Sequence, residues 1–205
     1  MKVNRFVLFA ALMVFSFQTM GGPRVEVIEP TFSGSGCPRG SADVAISPNA
    51  KHIEITFDSF FVEANTTMGH LVSTKNCDTS IRIKIPHGFS LAIERVRYNG
   101  VNNLPFGANA HLVGAHFFNH EEVAQVNKRF YGSTKSPFNI SAKVPHHTLC
   151  WTACGEEALL SSRTNLAVSA LKSLQPASVQ VDDRDMKPGI TYDLLWRSCV
   201  EKKIK

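Results

Sequence analysis

From His52 to Tyr98 apolar side chains return at every second position, and a chain that alternates this way folds as strands. Ile53, Ile55 and Phe57 alternate with His52, Glu54 and Thr56; Ile81, Ile83 and Ile85 alternate with Arg82 and Lys84. Phe89, Leu91 and Ile93 follow, the phase slips at Glu94-Arg95, and it resumes at Val96 and Tyr98. Successive side chains of a strand point to opposite faces, so a period of two means one face buried and one wet. Phe60-Phe61 breaks the first run as a β-bulge would. Pro86-His87-Gly88 carries turn chemistry, so the runs on either side of it read as an antiparallel hairpin.

Further strands are expected at 108–118, 138–144, 165–171, 178–181 and 191–197. Turn clusters stand at Ser33-Gly34-Ser35-Gly36, Asn99-Gly100, Asn102-Asn103 and Lys187-Pro188-Gly189. Short strands at this spacing favour a sandwich or jelly roll over a parallel α/β fold. One stretch is ambiguous. Asn119 with Glu122 three positions on, then Val123, Val126 and Phe130, has the form of a capped helix ending at Gly132. Ala124, Val126, Lys128 and Phe130 also alternate as a strand would. Local rules favour the helix.

The 205 residues contain no internal repeat and no linker, and 43% of them are hydrophobic, so a single core is expected. The expected layout is a secretory leader at 1–21, a lead segment at 22–32, one domain at 33–200 and a basic tail at 201–205. Lys2 and Arg5 precede an apolar run from Phe6 to Phe17, and Thr19 and Gly21 supply small residues for a cut near Gly21. Twelve apolar residues reach only about 18 Å as a helix, short of a ~30 Å hydrocarbon core. The exported chain is therefore expected outside the cell, or in the periplasm of a two-membrane bacterium, with no membrane span. The formal net charge is +5, and two of its bases sit in the leader. The remainder is too small to argue for nucleic acid or an anionic membrane from net charge alone.

Export makes disulfides the default fate of Cys37, Cys77, Cys150, Cys154 and Cys199. Five is odd, so at least one thiol is left over within the chain. Cys150 and Cys154 have the spacing of a zinc half-site, but no second close pair of ligands accompanies them.

A series of short motifs runs in order along the chain: Gly34-Ser-Gly-Cys37-Pro38, Ile46-Ser-Pro-Asn49, Thr56-Phe-Asp-Ser-Phe60, Lys75-Asn-Cys77 and Ile85-Pro-His-Gly-Phe89. Trp151-Thr-Ala-Cys154-Gly155, Val181-Asp182 and Leu195-Trp-Arg-Ser-Cys199 complete it. Together they resemble a family of small secreted proteins of bacteria and fungi known only as domain of unknown function 4360. The resemblance implies a secreted, disulfide-bonded β-sandwich without an established activity, and strand rather than helix at 121–130. Its four-cysteine pattern matches Cys37, Cys77, Cys154 and Cys199, leaving Cys150 as the free thiol. With the odd count, this gives Cys37–Cys77 and Cys154–Cys199 as the expected pairs; the rival is Cys150–Cys199. The expected fold is thus all-β, a single antiparallel β-sandwich of jelly-roll type held by disulfides.

Several residues could carry chemistry. His111, His116, His120, His146 and His147 gather in the middle third, and His116 and His120 have the spacing of a helical metal pair. On a strand, residues four apart lie about 13 Å from one another, too far for one ion. Partly exposed histidines on loops and strand edges are the plainer reading. Asp182, Asp183 and Asp185 could hold Ca²⁺ in a loop, but an Asp-stabilised turn fits better. Trp151 and Trp196 beside cysteines suggest aromatics packed on a disulfide, with sugar stacking as the functional alternative. Cys150 near His146 and His147 has the elements of a thiol nucleophile without evidence of an orienting partner. Asn65 and Asn139 open glycosylation sequons.

No catalytic residue, metal set or cofactor is assigned, because G-x-S-x-G, H-E-x-x-H and P-loop patterns are missing. The expected function is a secreted, non-enzymatic module binding a surface polymer or protein. A metal- or carboxylate-dependent hydrolase on the same scaffold is the alternative, and convergence of the histidines with a carboxylate in a pocket would favour it.

Overall fold

The computed structural model describes residues 24–182 and 188–199. Twelve strands run in chain order: β1 Glu26–Ser33, β2 Ala42–Ile46, β3 His52–Phe57, β4 Phe61–Ala64, β5 Val72–Lys84, β6 Phe89–Leu104, β7 Asn109–Phe118, β8 Glu121–Tyr131, β9 Thr134–Lys143, β10 Ala158–Ser169, β11 Ala177–Val181 and β12 Ile190–Ser198. They form two antiparallel sheets. One has the order β1-β5-β10-β7-β8; the other has β2-β3-β12-β6-β11-β4, with β9 paired to β6. The fold is an all-β sandwich, and Cys37–Cys77 and Cys154–Cys199 are its disulfides.

The period of two becomes the two inner faces. Ile81 and Ile83 of β5, Leu112 and Phe118 of β7, and Leu160 and Leu166 of β10 turn inward from one sheet. Ile53 and Ile55 of β3, Leu91 and Ile93 of β6, and Ile190 of β12 turn inward from the other. All are essentially without solvent contact, as facing layers of a sandwich core require.

Four expectations need correction. Strands β5 and β6 are not a hairpin: they lie in different sheets, so Pro86-His87-Gly88 carries the chain across the sandwich. Asn99-Gly100 and Asn102-Asn103 are not turns but lie inside β6, because its 16 residues pair with β12 and then β11 along one edge and with β9 along the other. Phe60-Phe61 is not a bulge. Strand β3 stops at Phe57, buried Phe60 meets Phe57 edge-on, and β4 starts on the far edge of the sheet. The first strand, Glu26–Ser33, begins within the stretch 22–32 expected to lead into the domain and pairs with β5.

The stretch 121–130 is strand, and the reason is local. Asn119 and His120 both have positive φ, at 49° and 70°. Two such residues between strands make a type I′ hairpin, which a helix cap cannot share. The Asn119 side chain accepts from the Leu159 N–H at 2.9 Å, fixing this turn to β10.

The core also holds polar groups. Tyr98 of β6 and Tyr192 of β12 reach across to His116 of β7, their hydroxyls 3.1 and 3.0 Å from its Nε2 and Nδ1. Tyr98 also meets Thr164 Oγ1 of β10 at 2.7 Å, and Ser162 of β10 lies 2.8 Å from Thr79 of β5. Buried polar groups persist when they are satisfied, and this set links both sheets through one imidazole. Gly114, two residues before His116, leaves the space: a Cβ there would collide with the Tyr98 hydroxyl.

Candidate functional site

The residues singled out from sequence do not converge. His116 is wholly buried between the two tyrosines, which corrects its placement among exposed histidines. Both ring nitrogens are engaged, so neither can ligate a metal, and burial lowers its pKa to about 3. His111 lies on the outer face of the other side of β7, 2.8 Å from Asn127 Oδ1. His120 is in the β7–β8 turn, while His146 and His147 are exposed on a 3₁₀ turn after β9. Among the described residues, no three His, Cys, Asp or Glu side chains are placed to hold an ion.

Asp182 accepts from the Phe57 N–H at 2.8 Å, a bond that ties the end of β11 to the end of β3 and not one within the turn itself; Asp183 and Asp185 lie outside the described residues. Cys150 is the free thiol. Burial first, and then the Glu121 charge, push its pKa upward, the reverse of an activated nucleophile. The tryptophans are half-buried rather than core. Arg197 sits 4.3 Å over the Trp151 ring, and Trp196 donates to the Ala50 carbonyl at 2.7 Å and meets Phe89 edge-on.

A different set of side chains does converge, on the outer face of the larger sheet. The cause is the phase slip at Glu94. Asp193 faces Arg95 but Leu194 faces Ile93, so Glu94 is an extra residue in β6. Before it, Leu91 and Ile93 point inward; after it, Val96 and Tyr98 do, and Arg95, Arg97 and Asn99 are turned outward. Register then lines up Glu54, Thr191, Arg97 and Ser141 in one row, and His52, Asp193, Arg95 and Lys143 in the next. Side chains directly opposite in antiparallel strands stand close enough to interact.

Asp193 is the hub. His52 Nδ1 lies 3.0 Å from its Oδ1, Arg97 Nη2 donates to the same oxygen, and Arg95 Nε lies 3.8 Å from Oδ2. The carboxylate is 15% exposed, so these pairs are less screened than surface ones. The Nε atoms of Arg95 and Arg97 are buried with no hydrogen-bond partner among the described residues. Beyond them, Asn139 donates to Asn99 at 2.5 Å and Asn99 donates to the Pro188 carbonyl at 2.9 Å. His52, Glu54, Arg97, Asn99, Asn139 and Pro188 line an open hollow of about 540 Å³ here. The sequence reading named Asn139 only as a glycosylation sequon and took none of the six as part of a binding site. The signal was the slip itself, which sets two arginines on the wet face.

Comparison with known proteins places this architecture among relatives. An uncharacterized secreted protein of Arthroderma benhamiae is 19% identical over 177 residues, 86% of this chain and 72% of that protein. Two solved structures are similar in outline. TmCBM61, solved with β-1,4-galactotriose, has 13% identity, a TM-score of 0.24, and coverage of 83% of this chain and 88% of its own. TmCBM27, described as a carbohydrate-binding module recognising mannan, has 8% identity, a TM-score of 0.26, and coverage of 83% and 98%. The protein is secreted, as that fungal relative is, and its two disulfides fit that location. Residues 23–199 match the family described as Domain of unknown function (DUF4360), and the chain belongs to that family.

Proposed function

We propose that the protein is a secreted binding module that holds a saccharide segment of a surface polymer in the hollow on β3, β12, β6 and β9. The observation that carries this reading is the hollow's chemistry: amide, guanidinium, imidazole and carboxylate groups from several strands ring one depression, with Pro137, Phe138 and Pro188 among its walls. A sugar presents hydroxyls that both donate and accept, and C–H faces that pack on apolar surface. A polar set held on rigid strands meets the hydroxyls at little entropic cost. Arg97 is already anchored by Asp193, and Asn99 by Pro188, so neither must be ordered on binding.

A glycan array with the purified exported chain tests this, with Glu54→Ala and Asn139→Ala as companions on the exposed rim. Retention of a polysaccharide class that both substitutions weaken is the expected result. No retained glycan, or retention indifferent to both changes, refutes it. The His52–Asp193 contact favours a second reading, hydrolysis, since a carboxylate orients an imidazole in many general bases. Release of reducing ends that His52→Ala abolishes would establish that reading instead.

A further inference from the structure

Among the described residues, the large apolar side chains left exposed are Phe61, Met68, Leu71, Val72, Phe106, Tyr131, Leu171 and Leu174. All but Phe61 lie at one pole of the sandwich. Strand register fixes this. Val72, Ser169, Asn109 and Tyr131 stand in one row across the smaller sheet. In the other sheet Ala64 faces Ala177, and Leu104 faces Thr134, at the same end. The loops β4–β5, β6–β7, β8–β9 and β10–β11 therefore emerge together.

They also touch one another. The Ala170 N–H donates to the Leu71 carbonyl at 2.8 Å, and Gly132 donates to Ala108 at 2.9 Å. Gly107 has a φ of 82° and no room for a Cβ against the Lys172 carbonyl. Ser173 bonds the Gln175 backbone through both its donor and acceptor capacity, at 2.9 and 3.1 Å, and so fixes the turn that carries Leu174. Leu174 is 94% exposed and Phe106 is 83% exposed, and the two flank a shallow hollow of about 330 Å³ shared by their loops. These are protruding tips on a braced platform rather than strays from the core.

The charge at this pole is one-sided. Residues 65–72, 105–109, 131–135 and 170–176 include Lys135 and Lys172 but no Asp or Glu. Both lysines are exposed. A second copy docked pole to pole would set the lysines of these loops against one another, the nearby carboxylate of Glu63 lying back on β4 against Asn65. The opposite pole holds both ends of the described chain, because Glu26 pairs with Lys84 and the Cys199 N–H donates to Gly88. Neither the first nor the last described strand therefore ends at the apolar pole.

Aromatic and aliphatic tips accompanied by Lys135 and Lys172 match the interface of an anionic bilayer, where apolar side chains enter the headgroup boundary and cations meet lipid phosphates. We infer that this pole docks on an anionic lipid surface, with Phe106 and Leu174 inserting and Lys135 and Lys172 meeting the headgroups. This goes beyond saccharide binding and uses the opposite geometry, loop tips in place of a sheet face.

Vesicle co-sedimentation tests it, with phosphatidylcholine and phosphatidylglycerol in equal parts against phosphatidylcholine alone. The exported chain sediments with the mixed vesicles and loses that binding as salt is raised. Phe106→Ser and Leu174→Ser each weaken partitioning about tenfold, from the usual worth of burying such a side chain. Lys135→Glu with Lys172→Glu removes the preference for anionic vesicles. Unchanged melting of these variants, all at exposed sites, shows the fold intact. Failure to bind either vesicle overturns the inference, as does binding that the serine variants leave unchanged. A concentration-dependent dimer dissolved by Phe106→Ser, or a soluble protein partner held through Phe106 without lipid, overturns it too.

Discussion

His116 makes stability depend on pH in a way that can be worked out from its surroundings. Folded, it is buried between Tyr98 and Tyr192 and its pKa is pushed down to about 3 by that burial. Unfolded, it returns to the ordinary value of about 6.5. Between those values the unfolded chain binds a proton that the folded chain refuses, so stability falls as pH falls. The slope is about 1.4 kcal/mol per pH unit, or about 2.6 kcal/mol between pH ~7.5 and ~4.5. For a domain of this size that corresponds to roughly 5–10 °C in Tm. Carboxylates titrate in the same range, so the clean measurement is the difference between wild type and His116→Gln in denaturant titrations at several pH values. Near neutral pH the variant should be less stable by about 1–3 kcal/mol for each tyrosine hydroxyl left unsatisfied. That deficit should shrink by most of the 2.6 kcal/mol as the solution is acidified, because glutamine takes up no proton in either state. A deficit that stays constant with pH would falsify the reasoning, for it would mean that His116 titrates normally in the folded chain. At the alkaline end the buried phenols also resist ionisation, so their pH dependence runs the other way. Burial raises both tyrosine pKa values, so stability is present below about pH 10 and lost above it as the unfolded chain ionises.

Two further outcomes are expected. Cys37–Cys77 and Cys154–Cys199 span 40 and 45 residues, so in the chain-entropy model replacing either pair by alanine should cost about 4 kcal/mol. Cys150→Ser should cost far less, which denaturant midpoints of the three variants decide. The exported form should begin close to Gly22, read by intact mass; a secreted chain still carrying Met1 and the apolar run after it would refute the leader assignment.

The strands were legible because one physical rule, alternation between core and water, writes itself into sequence at period two. It worked best where one face is wholly apolar, as in Ile53, Ile55 and Phe57. It failed where context decides. The dipeptide Asn99-Gly100 carries turn chemistry, yet β9 on one side and β11 on the other hold it extended, and no local signal reports how many partners a strand will find. Pro86-His87-Gly88 shows a turn but not whether the chain folds back into the same sheet or crosses to the other. The helix signature at Asn119 lost to a two-residue turn that accepts positive φ at both positions. His116 looked like a candidate ligand because residue type is visible in sequence, whereas Tyr98 and Tyr192, which occupy both its nitrogens, come from another sheet. The converging set around Asp193 was hidden for the same reason: its members come from β3, β6, β9 and β12, far apart in the chain.

One backbone irregularity joins the interior to the candidate site. Glu94 is the extra residue in β6, and every side chain after it changes face. Without it, Tyr98 would point outward and leave His116 with one phenol, while Arg95 and Arg97 would point into the core as buried cations. Isolated charges cannot be held there without large cost. The alternation of Val96 and Tyr98 inward with Arg95, Arg97 and Asn99 outward is consistent only with the slip, so the residues on both faces of β6 specify the bulge together. A feature that is costly to lose on the core side is therefore also what aims the guanidiniums at Asp193. The hollow inherits its rigidity from the buried network beneath it, because β6 and β12 carry Arg97 and Asp193 on one face and Tyr98 and Tyr192 on the other.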